Sequence, residues 1–168
     1  ESLRGSVSHW LDTTLQSDFY LRLAPGVAPQ AATAFSPEAI ASLREMPGVE
    51  GLSLSRTLRI ATETGALELR AIEPGPKGWG LEIVEGDPDA ALAAFRSAQA
   101  VVISEPLARR RGIGVGEELV LAAPDGPLAF AVAGVFRDYS SDRGVIVMWL
   151  DGFRRHWQDR RLTGVGIT

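Results

Sequence analysis

Residues 101–149 read VVISEPLARRRGIGVGEELVLAAPDGPLAFAVAGVFRDYSSDRGVIVMW, and their punctuation decides the fold. Val101 to Ile103 form a short, fully apolar strand. Ser104-Glu-Pro then predicts a helix start, with serine at the N-cap and proline in the first turn, where no amide donor is needed. Leu107 and Ala108 face inward, Arg109 to Arg111 place positive charge near the C-terminal end of the helix dipole, and Gly112 stops the helix. Glu118 to Ala123 and Leu128 to Phe136 predict a hairpin around Pro124-Asp-Gly-Pro127, and Val145 to Trp149 a further strand. Short helices alternating with mainly antiparallel strands define an α+β pattern.

Working outward, Leu3, Val7, Trp10, Leu11 and Leu15 share one helical stripe, which predicts an amphipathic helix from about 2 to 16. Phe19, Leu21 and Leu23 alternate with Tyr20 and Arg22 as a short strand, and the Pro/Ala/Gly stretch from Ala24 to Ala34 reads as a loop. Ser36-Pro37 opens a helix that Pro47-Gly48 ends. From Val49 to Ala61, Leu52, Leu54, Leu58 and Ile60 share the parity of a half-buried strand, interrupted only by Arg56. Thr64-Gly65 turns it into a partner strand from Ala66 to Ile72, and Pro74 to Gly80 reads as an irregular junction. Asp87-Pro88-Asp89 starts a helix with Ala91, Leu92 and Phe95 on its buried side, and Phe153 with Trp157 mark another short helix.

The chain of 168 residues is 45% apolar and 23% charged, enough for one domain or two small lobes. A net charge of −4 gives no field to hold a polyanion, which argues against nucleic acid as a partner. The absence of cysteine removes disulfides, thiolate catalysis and cysteine-type zinc sites. The densest apolar stretch, Gly144 to Leu150, is far short of the ~20 residues a membrane-spanning helix needs. The chain opens on Glu1 rather than Met and closes inside a predicted strand, as expected of a piece of a longer polypeptide.

Each motif that invites a catalytic reading has a plainer one. Gly112-x-Gly-x-Gly116 follows a helix instead of opening one, so it reads as a C-cap and tight turn, not a phosphate loop. Asp138, Ser140 and Asp142 have the first spacings of a calcium loop, but Arg143 and Trp149 stand where it needs glycine and a bidentate carboxylate; a polar turn explains them. Ser104, with His156, could imitate a nucleophile elbow, yet a serine before Glu-Pro is ordinarily an N-cap. Glu82, Glu85, Asp87 and Asp89 read as a solvated acidic run, and His9–Asp12 and His156–Asp159 as surface pairs without a third metal ligand. Arg109 to Arg111, Arg137, Arg143, Arg154, Arg155, Arg160 and Arg161, interleaved with Tyr139 and Trp157, form either a solvated face or a patch for a phosphate-bearing or acidic partner.

Taken in order, Val102-Ile-Ser-Glu-Pro-Leu-Ala-Arg-Arg-Arg-Gly112, Val115-Gly-Glu-Glu-Leu-Val-Leu121, the Pro-Asp-Gly turn, Val132 to Ser141 and Gly144-Val-Ile-Val-Met148 resemble the periplasmic domain of FtsX-like and MacB-like ABC-transporter permeases. Leu3-Arg-Gly-Ser, Trp10-Leu11 and Ser17-Asp-Phe-Tyr-Leu21 resemble that family's extension from a membrane helix into its first strand. Glu117 departs from the usual Gly-Asp pattern.

The resemblance implies a juxtamembrane helix over 1–17, a porter-like β-α-β lobe over 18–74 and 162–168 whose second half is truncated, and an inserted α/β lobe over 75–161. It implies an extracytoplasmic position at the bacterial inner membrane, with the permease's own transmembrane helices and a separate cytoplasmic ATPase as partners. The domain would hold no cofactor, metal or catalytic residue and would grip, release or signal to a lipid, lipoprotein, peptide or partner protein. An open strand edge would favour dimers. The expected contact surface is a tip formed by Asp125 in the Pro124–Pro127 turn and by Asp138, Tyr139, Asp142 and Arg143 in the following loop. A serine hydrolase using Ser104 and His156, and a free-standing solute-binding module, are the rival readings.

Overall fold

The structure is a computed structural model that describes Ser8 and residues 16–23, 34–62, 65–141 and 143–168. Nearly all of the expected helix over 2–16 and of the loop over 24–34, together with the His9–Asp12 pair and Asp142, lies outside the described residues. The elements are β1 (Phe19–Arg22), α1 (Pro37–Glu45), β2 (Leu52–Thr62), β3 (Gly65–Glu73), β4 (Ile83–Glu85), α2 (Pro88–Arg96), β5 (Ala100–Ser104), α3 (Glu105–Arg111), β6 (Glu118–Ala123), β7 (Gly126–Phe136), β8 (Val145–Trp149), α4 (Leu150–Trp157) and β9 (Gly164–Ile167).

Two helix starts follow the expected capping chemistry. Ser36 Oγ accepts the Ala39 N–H at 3.1 Å, and Asp87 Oδ1 accepts that of Ala90 at 2.8 Å. The third does not. Ser104 occupies the N-cap position of α3 with extended backbone, but its hydroxyl is fully buried and accepts the Val145 N–H of β8 at 2.9 Å. Bridging two strands satisfies a buried amide that would otherwise be orphaned, and this outweighs an exposed helix end. Gly112 ends α3 in the left-handed region at φ 63, as a glycine C-cap should.

Among the described residues the strands form one nine-stranded sheet in the order β1-β9-β2-β3-β8-β5-β7-β4, with β6 also on β7. Six pairings are antiparallel; β3–β8 and β5–β7 are parallel. β1, α1 and β2 make a split β-α-β unit, because β9 is antiparallel to both strands and lies between them. The seam between β3 and β8 runs from Glu68↔Val145 to Ile72↔Trp149 and carries the sheet from residues before 75 into those after it.

Strand parity divides the core in two. Leu54, Leu69, Val101, Ile103, Ile146 and Met148 face α1, α3 and α4, whose Ile40, Leu107 and Phe153 belong to the same cluster. Val102, Phe136, Val145 and Val147 face the other way, onto Ala91 and Phe95 of α2. Trp79 and Trp149 pack on Phe95 with ring centroids 5.2 and 5.4 Å away. β4 lies where the acidic run reads as solvated surface: Ile83 pairs with Phe136, and Glu82 Oε1 receives Arg137 Nη1 at 2.6 Å.

Candidate functional site

The loop from Arg137 to Gly144 leaves the end of β7 and enters β8. Arg137 fixes its start, its N–H bonding to the Glu82 carbonyl at 2.9 Å and its Nε lying 3.8 Å from Glu105. Asp138 then folds the chain back: Oδ1 accepts from both Ser140 N–H, at 2.9 Å, and Ser140 Oγ, at 2.6 Å. This is the polar turn that the Asp-x-Ser spacing predicts. Asp138 Oδ2 is buried without a hydrogen-bond partner among the described residues. Ser141 Oγ accepts the Arg143 N–H at 3.2 Å, and Arg110 of α3 reaches across to the Arg143 carbonyl at 2.7 Å.

The β2–β3 hairpin completes the site. Arg59 pairs with Glu68 in its register, and Glu68 pairs in turn with Val145, which brings Arg59 beside a loop about eighty residues later in the chain. Arg70 is paired with Glu68 and donates to Ser140 Oγ at 3.1 Å. Between hairpin and loop lies an open cavity of about 400 Å³ lined by Arg59, Glu68, Tyr139, Ser140, Ser141 and Arg143. Among the described residues, the Arg59 and Arg143 guanidiniums have no ion-pair partner. Two free planar cations beside hydroxyls suit a carboxylate or phosphate oxygen.

The structure therefore gathers Asp138, Tyr139 and Arg143 but sets Asp125 apart. Asp125 sits in the turn before β7 and accepts from Gln158 Nε2 at 3.2 Å. The 138–144 loop follows the other end of that strand, roughly 30 Å away for eleven residues. They are not two parts of one tip. Arg59 and Glu68 are hairpin lining residues that the expected site lacks; the register of β2, β3 and β8 brings them there, and no local motif announces them.

The rival chemistry has no geometry to support it. Ser104 Oγ is buried and committed to Val145, away from solvent. His156 lies edge-on to Phe130 at 5.8 Å, and its supposed partner Asp159 is held by Arg56 and Arg161 instead, at 2.9 and 2.8 Å. Among the described residues, no three histidine or acidic side chains converge on a common point for a metal.

This fold, a split β-α-β unit extended by a mixed sheet with short helices, is similar to that of two solved extracytoplasmic domains of ABC-type transporters. The extracellular domain of the noncanonic ABC-type transporter YknZ from Gram-positive bacteria superimposes with a TM-score of 0.57 at 16% identity, covering 89% of this chain and 81% of that one. The periplasmic region of MacB from Actinobacillus actinomycetemcomitans gives 0.61 at 11% identity, covering 94% and 77%. The MacB-like periplasmic core domain profile matches residues 1–167, and the chain belongs to that family. It is 30% identical over 177 residues to the uncharacterized ABC transporter permease protein Rv0987 of Mycobacterium tuberculosis (strain ATCC 25618 / H37Rv), a match covering 96% of this chain and 20% of that protein. The chain thus spans about a fifth of the curated relative's length. It is a MacB-like periplasmic core domain. Among the described residues no helix is long and apolar enough to cross a membrane.

Proposed function

We propose that this domain couples ATP-driven movement of its permease's transmembrane helices to the capture or release of a lipid, lipoprotein, peptide or partner protein, and that the pocket between Arg59 and Arg143 is the contact surface. ATP is consumed by a separate cytoplasmic subunit, and the domain works without a catalytic residue or cofactor of its own. The observation that carries this reading is the continuity of the sheet. Backbone hydrogen bonds run from β1, which follows the predicted juxtamembrane segment, through the β3–β8 seam to the strands bearing the 138–144 loop. A hydrogen-bonded sheet with a packed core on both faces moves as a body, so displacement at one end reaches the other.

The test uses the whole permease with its ATPase in membranes, carrying Arg59→Glu and Arg143→Glu together. Among the described residues neither guanidinium has an ion-pair partner, so the domain should keep its unfolding midpoint. The expected result is at least a tenfold fall in transport per ATP hydrolysed, the equivalent of about 1.4 kcal/mol in binding. Wild-type transport stoichiometry in that variant would remove the pocket from the mechanism.

A further inference from the structure

The sheet face opposite α1 carries small side chains over β9 and β2. Register places Tyr20, Gly166 and Ser53 in one row across β1, β9 and β2, and Arg22, Gly164 and Ser55 in the next. The glycines leave room there: a Cβ on Gly166 would force the hydroxyls of Ser53 and Ser17 to shift, and one on Gly164 that of Ser55. Serine and glycine so form a flat floor whose functional groups are hydroxyls. Beside it rises an apolar wall, where the segment after β3 brings Trp79 and Leu81 next to Ile72, all three packed against the core cluster under α2. Across the rim, Lys77 of that segment is paired with Asp18 at 3.0 Å, and the Tyr20 hydroxyl accepts the Ser17 N–H at 2.9 Å.

The cavity, partly open to solvent, measures about 160 Å³. A void of that size holds a benzene-sized group. Arg70 at its edge is already paired with Glu68, whereas among the described residues nothing pairs with the Arg22 guanidinium. A wholly apolar guest would leave the Arg22 cation without a partner, and a bare inorganic anion would leave the Trp79 wall in water.

We propose that this cavity binds a small organic carboxylate whose apolar part is about the size of a benzene ring, with the carboxylate on Arg22 and the apolar group against Trp79 and Leu81. The site shares no lining residue with the Arg59–Arg143 pocket and does not depend on the coupling role. Its occupant touches residues 17–22 on one side and 74–81 on the other, so it reinforces the Asp18–Lys77 clasp between the start of the sheet and the connection out of β3.

Calorimetric titration of the 168-residue chain with benzoate, its neutral isostere benzamide, and acetate tests this. Benzoate should bind saturably at about 1 mM, with benzamide and acetate each at least tenfold weaker. Arg22→Gln, at an exposed position, should weaken benzoate about tenfold while leaving benzamide unchanged. Gly166→Val fills the floor and should abolish benzoate binding; should that variant fail to fold, the Arg22→Gln comparison decides alone. Equal affinity for benzoate and benzamide, an unaltered benzoate affinity in Arg22→Gln, or no saturable binding of benzoate would each overturn the assignment.

Discussion

Arg56 stands in the middle of β2 on the parity of Leu52, Leu54, Leu58 and Ile60, where a strand facing a core should carry another aliphatic residue. Its partner resolves the conflict. Asp159, in the stretch between α4 and β9, receives Arg56 Nε at 3.0 Å and Nη2 at 2.9 Å, with 12% and 14% of the two side chains exposed. Arg161 adds its own guanidinium at 2.9 and 2.8 Å and its backbone N–H at 2.9 Å. Those bonds, Arg161 first and Arg56 after it, hold the Asp159 carboxyl well below the ordinary carboxylate range in spite of partial desolvation. Asp159→Asn leaves the mostly buried Arg56 without its counter-charge and should cost about 2 kcal/mol at neutral pH. The folded carboxyl is the depressed one, so its contribution is complete above the unfolded value of about 4 and declines as pH falls. Urea unfolding should therefore show the gap between wild type and Asp159→Asn narrowing by about 1 kcal/mol between pH 7 and pH 3. A gap independent of pH would mean that the carboxylate charge contributes nothing.

At the scale of elements, β1 is the terminal strand in the order of the described sheet, bonded on one side to β9. Phe19 and Leu21 stand in register with Ile167 and Val165, and so on the core parity, yet they are 68% and 40% exposed. An apolar strand with a free edge is a template for another chain. Sedimentation of the 168-residue chain should accordingly show concentration-dependent association, and Phe19→Lys, which puts a charge on that edge, should abolish it without lowering the unfolding midpoint. Association that persists in the variant would place the contact elsewhere. The elements legible in the sequence are those with local chemistry: α1 and α2 through Ser36-Pro37 and Asp87-Pro88, β2 and β3 through alternation, and the β6–β7 hairpin through its Pro-Asp-Gly turn. β4 is not legible, because Ile83 and Val84 are two apolar residues between glutamates and become a strand only by pairing with the end of β7. The site divides the same way. Asp138 and Ser140 are two residues apart and announce their turn, whereas Arg59 reaches the loop through two successive strand pairings that leave no local trace. Ser104 shows the limit of capping rules: a capping residue in capping position spends its hydroxyl on a neighbouring strand when that amide is the one buried.

For the molecule as a whole, the decisive feature is that the segments before and after residue 75 share both a sheet and a core. The β3–β8 seam joins the backbones, and the larger apolar cluster runs unbroken from Ile40 and Leu54 through Leu69 to Ile103, Leu121 and Phe153. Leu69 is fully buried and pairs with Ile146 in the seam itself. Two parts joined by a hinge would unfold separately; two parts sharing a core should unfold together. Backbone circular dichroism and tryptophan fluorescence should therefore give one coincident transition in urea. Hydrogen exchange should give β2 and β7 the same maximal protection, although one lies on either side of the seam. Leu69→Ala removes packing at the join and should cost about 2–5 kcal/mol, lowering the protection of β2 and β7 by equal amounts. If instead β2 loses protection while β7 keeps its own, the seam is a hinge. A displacement at the β1 end would then be absorbed at residues 68–72 before it reached the 138–144 loop, and transmission through the sheet would fail as a mechanism.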